Sequence, residues 1–125
     1  MNNLYVISGI TDMTGNELVR QILNGNKGSV IGFDNFFCSS IDTVSDVIDD
    51  DRFTFFQYDI NNTAQMAEIE YLVVSKKKDF DKVFYINCAA VVHTDYFYHV
   101  YTTFDTNLLG MKSFLEQAIS VGADA

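Results

Sequence analysis

Three short stretches carry residue types and spacings that could do chemistry. Ser8-Gly9-Ile10-Thr11-Asp12-Met13-Thr14-Gly15 follows an apolar run, and its Gly9 and Gly15 have the outer spacing of a GxxGxxG turn. Glycines at such a turn let the backbone bend tightly, approach a pyrophosphate and pack a helix whose first amides hold the anion. Asp12 stands where the middle glycine would be. Asp34 comes 19 residues after Gly15, the place for an acid that hydrogen-bonds the ribose hydroxyls of an adenine dinucleotide. Asn35 beside it, in place of an arginine, favours NAD over NADP, whose 2′-phosphate an acid repels. Asp59 and the small residues Cys88-Ala89-Ala90 each close a further apolar run. Taken singly, Asp34 and Asp59 read equally well as turn caps; the ordered set favours a nucleotide edge.

These residues need a scaffold that brings the ends of several strands to one edge. Leu4 to Ile7, Ser29 to Phe33, Phe53 to Tyr58 and Val83 to Ile86 read as strands. Between them, Leu18, Val19, Ile22 and Leu23 have helical spacing from Met13 until Gly25-Asn26, and a second helix is expected from about Thr63 to Lys77. Lys76-Lys77-Lys78 suits the negative end of that helix. Ile41, Val44, Val47 and Ile48 allow one short helix before Asp49-Asp50-Asp51. A last helix is expected from about Tyr101 to Val121, with Phe104, Leu108, Met111, Phe114, Leu115 and Ala118 on one stripe. Strands apolar on both faces and alternating with helices predict an α/β fold, a Rossmann-type parallel sheet in the order 3-2-1-4 with helices on both faces. Ligands bind such sheets off the carboxyl ends of the strands.

The quoted segments resemble a family. Ser8-Gly9 with Gly15, Val30 to Phe37, Arg52-Phe53 to Asp59-Ile60, Cys88-Ala89-Ala90 and Asp105 to Gly110 are similar to the N-terminal half of extended short-chain dehydrogenase/reductases. Within it they look like the NAD-dependent epimerases and dehydratases of nucleotide sugars, closest to the UDP-glucuronate decarboxylase type. The resemblance implies that Gly9, Met13 and Thr14 face the pyrophosphate, Asp34 the adenosine ribose and Asn35 the turn beside it. It places Asp59 and Ile60 at the adenine and Ala89 and Ala90 under the central part of the cofactor, with Asn107 bracing the loop after the fourth strand. The loop from Val91 to Tyr98, with His93, Asp95 and Tyr96, corresponds to the nicotinamide and sugar pocket. A complete parent enzyme would oxidise a sugar hydroxyl by hydride transfer to NAD before epimerising, dehydrating, decarboxylating or reducing it.

Two departures qualify the expectation. A carboxylate at Asp12 about 4 Å from a phosphate costs on the order of 4 kcal/mol at an effective dielectric near 20, about three decades of affinity. Asp12 could also cap the following helix and engage the amides a pyrophosphate would use. The second departure is the family's Tyr-x-x-x-Lys pair: none of the seven tyrosines has a lysine four residues on, and Tyr71 has Ser75 there. The family's fifth strand, with its Ser or Thr, would begin near Val121 to Ala125, so no catalytic residue is assigned and the chain by itself is not expected to turn over. A degenerate module that binds no nucleotide and serves as an interaction or regulatory domain is the competing reading.

The remaining composition narrows partners. The 125 residues form one expected NAD(P)-binding domain, 1–125, with 48% hydrophobic residues and no proline. A net charge of −9 argues against nucleic acid and anionic membranes, which clustered cations hold. No apolar stretch approaches a membrane span, Met1-Asn2-Asn3 is no signal peptide, and Cys38 and Cys88 lack CxxC spacing, so a reduced, cytoplasmic setting is expected. GxSxG, HExxH and GxxxxGK[ST] motifs are absent, and no metal site is suggested. An uncovered edge of the fourth strand and face of the last helix predict self-association or a missing C-terminal part.

Overall fold

The computed structural model describes residues 2–91 and 98–125. Strand β1 (Asn3–Ser8) lies between β2 (Gly28–Phe33) and β4 (Val83–Asn87), and β3 (Phe53–Phe56) pairs on the far side of β2. All three pairings are parallel, giving the order 3-2-1-4. The expected Rossmann-type architecture is therefore present. Alternation along the strands explains why both faces need cover. Leu4, Val6, Ile31 and Phe33 point into one core with Ile60, Met66, Ile69, Val73 and Phe114. Ile7 and Val30 point into the other with Ile10, Val19, Ile22, Leu23, Val44 and Phe53. Helix α1 (Met13–Asn24) covers the second face, and α2 (Thr63–Lys76) covers the first, capped by Asn62, whose side chain accepts from the Gln65 amide. The lysine run closes α2 as expected, with a 3₁₀ turn at Lys77–Asp79.

Several boundaries differ from the sequence reading. β3 ends at Phe56, three residues before Asp59, because Asp59 belongs to a turn in which its Oδ1 accepts from the Asn61 amide. The expected short helix is a single 3₁₀ turn, Ile41–Val44, whose Val44 alone is buried; Val47 and Ile48 are only partly covered in the turns beyond it. The last helix is one right-handed run in three parts: α3 (Val100–Phe104), a π-helical segment (Asp105–Gly110) and α4 (Met111–Val121). Its buried positions are Gly110, Phe114, Gln117 and Val121. Of the expected apolar stripe only Phe114 is fully buried; Phe104, Leu108, Met111 and Leu115 are exposed, in keeping with the partly uncovered helix face expected from the sequence. Gly110 allows a close approach, since a Cβ there would lie 2.7 Å from the Ile60 side chain.

The outer edge of β4 is also less open than expected. The Asp124 amide donates to the Val83 carbonyl at 2.8 Å, the Tyr85 amide to the Ala125 carbonyl at 2.9 Å, and the Val83 amide to the Asp124 carboxylate at 2.8 Å. The chain's last residues therefore line β4 over Val83 to Tyr85.

Candidate functional site

A cleft of about 390 Å³, counted to open solvent, lies at the carboxyl ends of β1, β2 and β4. Gly9, Asp12, Asp34, Asn35, Ile60, Ala89 and Ala90 line it, so most of the residues singled out by sequence converge there. The others stand beside it. Met13 and Thr14 are exposed on the first turn of α1, and Gly15 is buried where a Cβ would collide with the Gly9 carbonyl. Asp59 accepts at Oδ2 from Asn35 Nδ2 at 3.3 Å. Asn107 reaches the loop after β4 through both ends of its amide, with Oδ1 accepting from the Val91 N–H at 2.7 Å and Nδ2 donating to the Val91 carbonyl at 2.9 Å. His93, Asp95 and Tyr96 lie outside the described residues.

The glycine turn is tight for steric reasons. Gly9 has φ +65°, and a Cβ on it would lie 2.6 Å from the Ala89 nitrogen and from the Cys88 carbonyl. Only glycine lets the turn after β1 touch the turn after β4 so closely. Ser8 ties the same two turns: its hydroxyl bonds the Asn87 side chain and accepts from the Cys88 amide at 3.1 Å.

Asp34 is 5% exposed. Its Oδ2 accepts from the Thr11 amide at 3.2 Å, and its Oδ1 from the Phe36 amide at 2.8 Å. The second bond closes a turn in which Phe36 is left-handed, φ 63°, a strained setting for a bulky residue. Stacking of Phe36 on Phe55 at 5.8 Å holds it there. The turn-cap reading of Asp34 is thus correct as far as it goes, yet each carboxylate oxygen keeps a second lone pair for a ligand hydroxyl.

Asp12 occupies the N-cap position of α1, but its side chain caps nothing. The expected capping by Asp12 is therefore wrong. Its carboxylate takes a hydrogen bond from Ser39 instead, and among the described residues the amides of Met13, Thr14 and Gly15 have no partner. Burial, then the Asp34 charge, pushes the Asp12 carboxyl above its ordinary range, against the lowering effect of the Ser39 bond. Burial likewise raises the Cys88 thiol, with Asp12 adding to it.

Sequence reasoning missed a hydroxyl lock on the loop after β2. Thr11 and Ser39 share a hydrogen bond at 2.6 Å, and Thr43 donates to the Thr11 carbonyl at 2.7 Å. These partners are 28 and 32 residues apart, so no local spacing could announce them. Phe37, Cys38, Tyr58 and Thr106 also line the cleft. No arginine or lysine is among its described lining residues. Among the described residues no cluster of three His, Cys, Asp or Glu could hold a metal, and no helix is long and apolar enough to cross a membrane.

No family model matches the chain. Over 122 residues it is 29% identical to UDP-glucuronic acid decarboxylase 5 and 27% identical to UDP-glucuronic acid decarboxylase 3, both of Arabidopsis thaliana. Each match covers 98% of this chain and 32% of the relative, so the chain spans about a third of the curated relatives' length. Among solved structures, the UDP-Glc/GlcNAc 4-epimerase of Campylobacter jejuni superposes with a TM-score of 0.74 at 19% identity, over 97% of this chain and 35% of that one. The dTDP-glucose 4,6-dehydratase of Bacillus anthracis, in complex with NAD, gives 0.72 at 20% identity, over 96% and 34%. The sequence-based resemblance to nucleotide-sugar epimerases, dehydratases and decarboxylases holds over nearly the whole chain, and the structural likeness is one of fold.

Proposed function

We propose that these 125 residues are the NAD-binding domain of a nucleotide-sugar epimerase, dehydratase or decarboxylase, and that they do not turn over a substrate alone. The observation that carries this reading is the convergence of Gly9, Asp34, Asn35, Ile60, Ala89 and Ala90 on one cleft at the strand ends. The glycines fit a dinucleotide turn: Gly9 and Gly15 let it fold tightly against the turn after β4 and the start of α1, and among the described residues the amides of Met13, Thr14 and Gly15 have no partner. Asp34 would accept from the adenosine ribose hydroxyls through its remaining lone pairs. Asp59 and Ile60 would border the adenine, with Asn35 fixed between Asp34 and Asp59. Ala89 and Ala90 leave room for the middle of the cofactor, and Asn107 holds the adjoining Val91. An acid at 34 with no cation in the described lining favours NAD over NADP. NAD, when bound, supplies a hydride acceptor.

The curated relatives, which are UDP-glucuronic acid decarboxylases, support a sugar-nucleotide substrate for a longer protein. None of the seven tyrosines here has the lysine partner of the family's acid/base pair. The exposed apolar side of the last helix (Tyr101, Phe104, Leu108, Leu115 and Ile119) supports self-association of the chain. Asp12 favours the second reading, a degenerate module of regulatory or interaction type, because it sets a carboxylate in the phosphate cradle.

Calorimetric titration of the chain with NAD separates the two. Heat from the parent that is lost in Asp34→Ala supports coenzyme binding. A silent parent with binding restored in Asp12→Gly establishes the degenerate module, and silence from every variant removes the coenzyme reading.

A further inference from the structure

Asp12 belongs to this chain's own sequence and not to the glycine turn it interrupts. It lines the cleft on the same edge as Asp34, whose charge acts on it. Among the described residues the amides of Met13, Thr14 and Gly15 have no partner, and a pyrophosphate approaching them meets this pair with no lysine or arginine in the described lining. Two charged carboxylates and a diphosphate cannot share a half-buried turn without neutralisation. The described surroundings hold no basic side chain for the task. From the loop after β2 come Asp34, Cys38 and Ser39, and from the turn after β4 comes Cys88. On α1, Arg20 is committed to Asp46 and Asn16, and Glu17 is acidic. Among the described residues the His99 ring meets the ring of Phe37, at 5.2 Å. His93 and Asp95 lie outside the described residues.

We propose that Asp12 makes dinucleotide binding in this cleft proton-linked, one proton being taken up on its carboxyl for each pyrophosphate bound. The inference rests on the coenzyme reading of the cleft. Geometry makes the protonated form useful as well as tolerable. Asp12 stands at the N-cap of α1, caps nothing and lines the cleft, so a neutral carboxyl there has an O–H to donate to an anion. Burial and Asp34 already favour the protonated form before any ligand arrives, and a diphosphate adds to the same tendency. The consequence is a site that takes NAD poorly at alkaline pH and increasingly well as pH falls.

The test is calorimetric titration with NAD between pH 8 and pH 5.5, each point in two buffers of different ionisation enthalpy. The parent should gain about tenfold in affinity per pH unit until Asp12 is protonated in the free chain, with uptake of one proton. Asp12→Asn should bind at pH 8 as tightly as the parent at its acid limit, with no slope and no uptake. His99→Gln should keep the parent's slope. A pH-independent parent, a slope retained in Asp12→Asn, a slope lost in His99→Gln, or full recovery at pH 8 on adding magnesium would each overturn the proposal. Binding without proton uptake removes this inference and leaves the coenzyme reading standing. Absence of NAD binding by the parent and both variants at every pH removes both. Should Asp12→Asn fail to fold, the buffer dependence of the parent's heat decides alone.

Discussion

Replacing Asn107 by alanine isolates the brace between the last helix and the loop after β4. Its side chain satisfies both backbone groups of Val91, at 2.7 and 2.9 Å, and Val91 is 1% exposed. Leaving a buried backbone donor or acceptor unpaired costs roughly 1–3 kcal/mol. Asn107 itself is half-buried and the cleft beside Val91 admits water, so the lower end applies to each group. The expected loss is about 2 kcal/mol, or a fall in Tm of about 6–10 °C for a chain of this size. Urea unfolding should show a lower midpoint with an unchanged slope, since the surface exposed on unfolding stays the same. Asn107→Asp sharpens the test. It keeps an acceptor for the Val91 amide but sets a carboxylate oxygen against the Val91 carbonyl, so it should cost at least as much as alanine at pH 7 and recover as the carboxyl is protonated. A loss below about 0.5 kcal/mol for Asn107→Ala would show that the two bonds add nothing beyond what water supplies.

Gln117 links three elements, accepting from the Tyr85 hydroxyl at 2.8 Å and donating to the buried Met66 carbonyl at 2.9 Å. Gln117→Leu should therefore cost about 2 kcal/mol despite its apolar gain; chemical denaturation measures it, and a neutral result refutes the network. The Arg52 guanidinium and amide hold the Asp50 carboxyl down to about 2, while Arg52 also donates to the Leu23 carbonyl at the end of α1. A depressed folded value means that this contribution is full above the unfolded value near 4 and is lost as pH falls through about 2. Acid unfolding between pH 4 and pH 2 should be less steep in Asp50→Asn than in the parent, and equal slopes would remove the pair from the account. Leu108→Glu with Leu115→Glu changes two positions that are 56% and 49% exposed, so folding should survive while self-association at high micromolar concentration is lost. Sedimentation of the parent as a monomer would refute that expectation.

What was legible depended on how local its cause is. β1 and β2 announce themselves because both their faces are buried, and β4 because Val83 to Ile86 is an unbroken apolar run. The end of β3 does not, because the β-forming run of Phe53 to Tyr58 continues past Phe56, and the turn bonds of Asp59 decide where pairing stops. Periodicity shows the apolar stripe on the last helix but not how much of it is covered. Periodicity reports that a helix is amphipathic, while burial depends on which face meets β4 and α2, and here Phe114, Gln117 and Val121 do. Polar Gln117 was invisible as a core residue, since its place follows from hydroxyl and carbonyl partners 32 and 51 residues away. The orientation of Asp12 was missed for the same reason: Ser39, far along the chain, outbids the helix amides next to it.

Asp34 shows why a bland and a functional reading of one residue need not compete. Its carboxylate is consumed in architecture, with one oxygen holding the Thr11 amide in the glycine turn and the other closing the turn at Phe36. Those bonds fix the carboxylate at the mouth of the cleft in one orientation, with a lone pair on each oxygen unspent. A ribose diol needs two acceptors held at a set separation, and a free surface aspartate would have to give up side-chain entropy to offer them. Here the fold has already met that cost through the Thr11 and Phe36 amides. Removing the Asp34 side chain therefore strikes fold and ligand site together. Loss of NAD binding in Asp34→Ala can be assigned to the ribose only when the variant's unfolding midpoint, measured in parallel, shows the chain still folded. The isosteric Asp34→Asn, which keeps one acceptor and turns the other into a donor against a backbone amide, gives the intermediate point that separates the two roles.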